Sequence, residues 1–200
     1  MDLTSRIGWI FDLDGTLTVA VHDFEAIRRQ LDLAPGLPIL EALDALPPTE
    51  ADPRRRELIE IERELAADAM PAPGAVELVS VLASRGARLG ILTRNDKALA
   101  HLTLRACGLD TLFDEQDVLG RDECAPKPSP DGIARLLSRW EVPADRSVMV
   151  GDFRFDLEAA RNAGVASVWV DLARDRAFAD LADVVVDELA ELLPHVGPVG

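Results

Sequence analysis

The chain of 200 residues holds two cysteines, two lysines and three histidines, and each scarcity excludes something. Cys107 and Cys124 are too few for a disulfide framework and lack the spacing of metal ligands, so they read as reduced, structural thiols. His22, His101 and His195 are scattered, which argues against a histidine-rich transition-metal site. His22 alone falls where a loop could carry it to the mouth of a site, against the plainer reading of a solvated loop histidine. No apolar run approaches the length of a membrane span, and the start, Met1-Asp2-Leu3-Thr4-Ser5-Arg6, has neither the basic flank nor the apolar stretch of a secretory signal. A cytoplasmic protein is expected. Positive charge is scarce too: 21 Lys and Arg stand against 36 Asp and Glu, a formal net charge of −15. Nucleic acid and anionic membranes would both be repelled, so a small-molecule partner is expected. With Lys97 and Lys127 the only lysines, a lysine among chemistry-bearing residues carries more weight than in an average chain.

What remains is a globular composition, 48% hydrophobic and 28% charged, long enough for one domain with a sizeable core and a small appended unit. Strand patterns recur at Ile7–Phe11, Arg88–Thr93, around Asp117–Leu119, Ser147–Val150, Ala166–Val170 and Asp183–Val186, each separated by a helical pattern. This alternation predicts an α/β fold, a Rossmann-like parallel sheet with helices on both faces. Continuous apolar runs such as Val148-Met149-Val150 fit strands covered on both sides. In such open sheets ligands bind at the carboxyl ends of the strands. The segment Thr18 to Pro73 is too long for a strand-to-helix connection and reads as an inserted helical cap (18–73) on a core made of 1–17 and 74–200. Phe24, Ile27 and Leu31 give one amphipathic stripe, Ile39, Leu40 and Leu43 a second, and Leu58, Ile61 and Leu65 a third. Asp52-Pro53 reads as the start of the last helix, which stops before Pro71, and Pro194 to Gly200 as a frayed tail.

Phe11-Asp12-Leu13-Asp14-Gly15-Thr16 follows directly on the run Ile7 to Ile10, so two carboxylates two positions apart stand where a buried strand meets a glycine turn. Strand side chains alternate, so Asp12 and Asp14 project the same way unless the turn at Gly15 has already begun. Two like charges so placed need a cation or a proton between them, as in a metal-assisted nucleophile with its acid/base partner. The competing reading is a strand end with solvated aspartates. Downstream, Leu89-Gly90-Ile91-Leu92-Thr93 is a strand ending in a hydroxyl, Ala125-Pro126-Lys127-Pro128-Ser129-Pro130 sets a lysine in a stiff loop, and Ser147 to Val150 ends in Gly151-Asp152 with Asp156 four residues on. In order, these four pieces resemble the four motifs of the haloacid dehalogenase-like (HAD) hydrolase superfamily, and within it the phosphoglycolate phosphatase-like subgroup with a small helical cap.

The resemblance implies that Asp12 attacks phosphorus to form an aspartyl-phosphate, while Asp14 first protonates the leaving oxygen and later takes a proton from water. Gly15 lets the turn aim its amides at the phosphoryl oxygens, and Thr16 can brace it. Thr93, Arg94 and Asn95, with the amino end of the following helix, would hold the phosphate. Lys127 would neutralise it and keep Asp12 ionised. Mg2+ would be bound by Asp12, Asp152 and the Asp14 backbone carbonyl, with Asp156 acting through water or orienting Lys127.

Asp14 favours phosphate esters, since the dehalogenases and phosphonate-cleaving members that this pattern resembles do not keep an aspartate there. No lysine between Thr18 and Pro73 could form the imine of a phosphonatase. A phosphomutase shares the motifs, but the short cap favours hydrolysis, and nothing in the sequence supports a binding protein that has lost turnover. Val19-Ala20 stands where phosphoglycolate phosphatases usually have Asp-Ser, which leaves the substrate open. Arg28, Arg29, Arg54, Arg55 and Arg56 could meet a second negative group, although most read as solvated helix charges. The expectation is a magnesium-dependent phosphatase for a small soluble phosphate ester such as phosphoglycolate or glycerol phosphate.

Overall fold

The computed structural model describes residues 3–19 and 24–196. His22 lies outside the described residues, as does Ala20. The strands are β1 (Gly8–Phe11), β2 (Arg88–Leu92), β3 (Val118–Leu119), β4 (Ser147–Gly151), β5 (Ala166–Val170) and β6 (Val184–Val186). They form one sheet in the order β3-β2-β1-β4-β5-β6, every pair parallel. The helices are α1 (Phe24–Gln30), α2 (Ile39–Asp44), α3 (Pro48–Ala67), α4 (Ala75–Ser84), α5 (Lys97–Ala106), α6 (Asp131–Trp140), α7 (Arg154–Ala163) and α8 (Leu193–Val196). None among the described residues is long and apolar enough to cross a membrane.

The period-two alternation of the strands divides the core. Trp9, Phe11, Leu89, Ile91, Val148 and Val150 face one side, where they meet Leu78 and Leu82 of α4, Leu104 of α5 and Val196 of α8. Ile10, Leu92 and Met149 face the other, against Ile133, Leu136 and Trp140 of α6 and Ala159 and Ala160 of α7. Each large side chain so buried contributes about 1.5–3 kcal/mol, which fixes the register of the central strands and hence the position of their carboxyl ends. Cys107 and Cys124 are free and buried, one on each side, and burial pushes both thiols up, away from reactivity.

Between β1 and α4 the chain leaves and returns side by side. The Val19 amide donates to the Met70 carbonyl at 2.9 Å and the Ala72 amide to the Leu17 carbonyl at 2.8 Å, a short antiparallel bridge. The intervening helices gather a cluster of their own from Ile27, Leu31, Leu43 and Leu58, backed by Ile39, Leu40, Ile61 and Leu65.

Two expectations are corrected. The long helix begins at Pro48, not at Asp52-Pro53: Pro48 takes the first helical position, where a missing N–H costs nothing, and Pro53 lies inside the helix one turn later. Leu193 to Val196 are helical rather than frayed, because Leu192 and Val196 are fully buried in the main core.

Candidate active site

The Asp12 amide donates to the Val150 carbonyl at 2.9 Å, so strand pairing runs one residue past Phe11 and Asp12 keeps the side of the sheet that Ile10 faces. That side holds α7 and the loop leading into α6. Immediately afterwards the chain wraps up: the Leu13 carbonyl accepts from the amides of Thr16, Leu17 and Thr18. The turn has therefore begun before Asp14. Asp12, Asp152 and Asp156 bring carboxylate oxygens within 4.8 Å of one another, a group that excludes Asp14. Asp14 instead accepts from Asn95 Nδ2 at 3.4 Å, across the mouth of the site.

Gly15 sits at φ +83°, and a Cβ there would lie 2.7 Å from Asp152 Oδ2, so this position needs glycine twice over. Thr16 was expected to brace the turn, but its hydroxyl donates to Asp152 Oδ1 at 3.1 Å, tying the first loop to the fourth. The brace is Thr18, whose Oγ1 accepts from the Gly15 amide and donates to the Leu13 carbonyl, both at 3.3 Å.

Lys127 is held by its loop: Asn162 Nδ2 donates to the Pro128 carbonyl at 3.0 Å and the Ala125 amide to Asp131 Oδ2 at 3.1 Å. Its Nζ lies 2.6 Å from Asp12 Oδ1 and 2.6 Å from Asp156 Oδ1, with all three side chains buried. Burial alone would push the ammonium down, but the two carboxylates outweigh it and hold Lys127 above the usual lysine range. Asp156 also caps α7, accepting from the Phe153 amide at 3.0 Å. Burial raises its carboxyl to about 6, against the opposing pull of Lys127. It comes this close because Gly151 has no side chain: a Cβ there would lie 2.2 Å from Asp156 Cγ. Asp152 is pushed up to about 8, first by burial and then by the charges of Asp12 and Asp156. Its carbonyl is fixed by Trp169 Nε1 at 3.0 Å.

Opposite stands the loop after β2. Thr93 Oγ1 accepts from the Asn95 amide at 3.0 Å, Asn95 Oδ1 accepts from the Asp96 amide at 2.7 Å, and Asp96 caps α5 by accepting from Ala98 and Leu99. Thr93 and Asn95 are buried here. Arg94 pairs with Glu41 of α2 and lies 4.8 Å from the centroid of the Phe155 ring. Arg28, Arg54 and Arg55 are tied to partners within their own segment: Arg28 to Glu25 and the Ala34 carbonyl, Arg54 to the Leu31 carbonyl and Asp32, Arg55 to Asp44.

Two residues escaped the sequence reading. Arg121, directly after β3, donates from Nη1 to Glu62 of α3, and its backbone amide donates to the Asn95 carbonyl at 2.9 Å. The signals were present. Arg121 follows a strand's carboxyl end, and Glu62 sits on the apolar stripe of Leu58, Ile61 and Leu65, where a carboxylate is out of place.

The donor set of Asp12, Asp152 and Asp156 is all oxygen, and Asp152 is costly to ionise without a nearby cation. Both facts suit a hard divalent ion. A parallel sheet with a carboxylate cluster, a clasped lysine and a hydroxyl-and-amide loop at its carboxyl edge defines an enzyme site of the α/β class suited to an anionic group. The chain belongs to the haloacid dehalogenase-like hydrolase family, whose model matches residues 9–170. It is 32% identical over 219 residues to a phosphoglycolate phosphatase of Rhodospirillum rubrum, covering 94% of this chain and 90% of that one. It is 30% identical over 210 residues to a phosphoglycolate phosphatase of Agrobacterium fabrum, covering 92% and 90%. The crystal structure of a hydrolase from Pseudomonas syringae has the same fold, with a TM-score of 0.79 at 24% identity over 96% of this chain and 97% of that one.

Proposed function

We propose that this enzyme is a magnesium-dependent phosphomonoesterase for a small soluble phosphometabolite of the phosphoglycolate or glycerol phosphate kind, with residues 18–73 acting as a cap over a core of 1–17 and 74–200. The observation that carries the reading is the Lys127 ammonium 2.6 Å from both Asp12 and Asp156, with Asp152 beside them. The names of the relatives from Rhodospirillum rubrum and Agrobacterium fabrum support the substrate class.

In this reading an Asp12 oxygen attacks phosphorus, the bond from phosphorus to the ester oxygen breaks, and Asp14 protonates the departing alkoxide. Water then attacks the aspartyl-phosphate, gives its proton to Asp14, and frees Asp12 and inorganic phosphate. Lys127, 2.6 Å from Asp12, orients that carboxylate and offsets phosphoryl charge. The Thr93 hydroxyl and the Asn95 side-chain amide donate to the equatorial oxygens. A magnesium ion held by Asp12, Asp152 and the Asp14 backbone carbonyl would supply further charge neutralisation. Asp156 serves by positioning Lys127.

Asp12→Asn is expected to abolish phosphate release from para-nitrophenyl phosphate while circular dichroism stays native. Surviving activity would remove Asp12 as nucleophile. A chelator should silence the wild type and magnesium restore it, and a panel of phosphorylated metabolites then ranks the substrates.

A further inference from the structure

Arg121 stands beside the catalytic loop without belonging to any of the four motifs. Its backbone amide is pinned to the carbonyl of Asn95, the residue whose side chain reaches Asp14. Its side chain is 16% exposed and that of its partner Glu62 is 13% exposed. Among the described residues its side-chain hydrogen bonds run only from Nη1 to the two Glu62 oxygens, at 3.4 and 3.3 Å. Charge-assisted N–H to carboxylate bonds are normally about 2.7–2.9 Å, so this pair is slack, and Nε and Nη2 have no protein partner among the described residues. Glu62 is itself a reluctant anion: burial raises its carboxyl to about 7, more than Arg121 offsets, and the nearby charges of Asp14 and Asp96 add to the rise. The positive charge of Arg121 is therefore incompletely answered at neutral pH. Arg94, by contrast, is committed to Glu41 and Phe155.

A largely buried guanidinium with donors to spare, bonded to a carboxylate that feels the Asp14 charge and pinned by its backbone to Asn95, is placed to read the other end of a substrate. We propose that Arg121 is a specificity-determining residue that binds a second anionic group on the substrate, a carboxylate in the simplest case, with Glu62 holding the guanidinium in place until that group arrives. This rests on the phosphatase reading and narrows it to phosphomonoesters bearing a second negative charge.

The test compares phosphoglycolate with ethyl phosphate, which is close in size but lacks the carboxylate, and reads the ratio of their kcat/KM values in wild type, Arg121→Gln and Glu62→Gln. The wild type should prefer phosphoglycolate. Arg121→Gln should cut the ratio about tenfold or more, mainly through KM, the size expected for one hydrogen bond to a charged group. Glu62→Gln removes the competing carboxylate and should leave the ratio unchanged or higher. If the pair is merely a structural clasp, both variants break it, and a matching fall in the two ratios would overturn the proposal. Should Arg121→Gln fail to fold, Arg121→Lys gives the same reading, since it keeps the charge but loses the planar fork. A wild type that hydrolyses both esters equally well overturns this inference and leaves the phosphatase reading standing; one that hydrolyses neither overturns both.

Discussion

Lys127→Met tests the electrostatic core of the site. The substitution keeps a straight side chain of similar bulk and removes the ammonium lying 2.6 Å from Asp12 and 2.6 Å from Asp156. Stripping one partner from a buried ion pair costs about 3–5 kcal/mol, because the remaining charges stay buried and uncompensated. That is about a fifth or more of the roughly 5–15 kcal/mol that holds a domain together, so the variant should be clearly weakened. The cost depends on pH through the carboxyls and not through the lysine. The Lys127 value is raised in the folded protein, so its stabilisation is fully present below the ordinary lysine value of 10.5 and constant between pH 5 and 8. Asp156 and Asp152, raised to about 6 and about 8, are largely protonated at pH 5 and increasingly ionised by pH 8. At pH 5 Asp156 no longer offers the ammonium a full negative charge, so less is lost when the ammonium is removed. Urea denaturation in chelator at both pH values measures the difference. The expected penalty is larger at pH 8, and turnover is lost at either pH because the ammonium that faces Asp12 and would offset phosphoryl charge is gone. A penalty below about 1 kcal/mol at pH 8, or a larger one at pH 5, would show that the ammonium does not neutralise this cluster.

Metal-free wild type should lose stability as pH rises from about 4 to 8. The raised values of Asp156 and Asp152, about 6 and about 8 against an ordinary 3.8, mean that the folded state binds more protons across that range. Tm measured against pH in chelator should fall, Asp152→Asn should flatten the slope, and magnesium at pH 8 should restore Tm; a slope that Asp152→Asn leaves untouched refutes the assignment. Gly151→Ala would set a methyl 2.2 Å from Asp156 Cγ, so a loss of about 1–3 kcal/mol is expected together with loss of turnover as Asp156 is pushed from Lys127. Urea midpoints and para-nitrophenyl phosphate assays check both, and a neutral result would mean that the Gly151 approach is not needed.

The fold was legible where burial is two-sided. Val148-Met149-Val150 and Ala166 to Val170 announced themselves as covered strands, and all six strands stand where the apolar runs placed them, to within one or two residues. Helix starts were harder. Pro53 looked like a beginning because a proline inside a helix is costly, yet here it falls only one turn in, and the Pro47-Pro48 pair ahead of it makes the better start. Roles that depend on tertiary approach were not legible. Thr16 and Thr18 are two residues apart in the same turn, and only the arrival of Asp152 sends one hydroxyl across to the fourth loop while the other closes the first. Arg121 and Glu62 are 59 residues apart, and nothing local marks either as the other's partner.

The separation of Asp12 from Asp14 follows from the same period-two rule that builds the core. Had the strand continued to Asp14, both carboxylates would face α7 and Lys127, and the group proposed to move the proton would be locked beside the ammonium, away from a departing oxygen. The Leu13 carbonyl gathers three amides instead, the chain turns at Gly15, and Asp14 swings towards Asn95 and the open mouth of the site. One strand end thus gives two carboxylates of the same kind two different environments. Asp12 is buried against the ammonium and suited to nucleophilic attack, while Asp14 stands at the rim beside the loops that carry Asn95 and Arg121. The residues that would read the rest of the substrate come from the neighbouring strand ends, β2 and β3, because a parallel sheet delivers every such loop to the same edge.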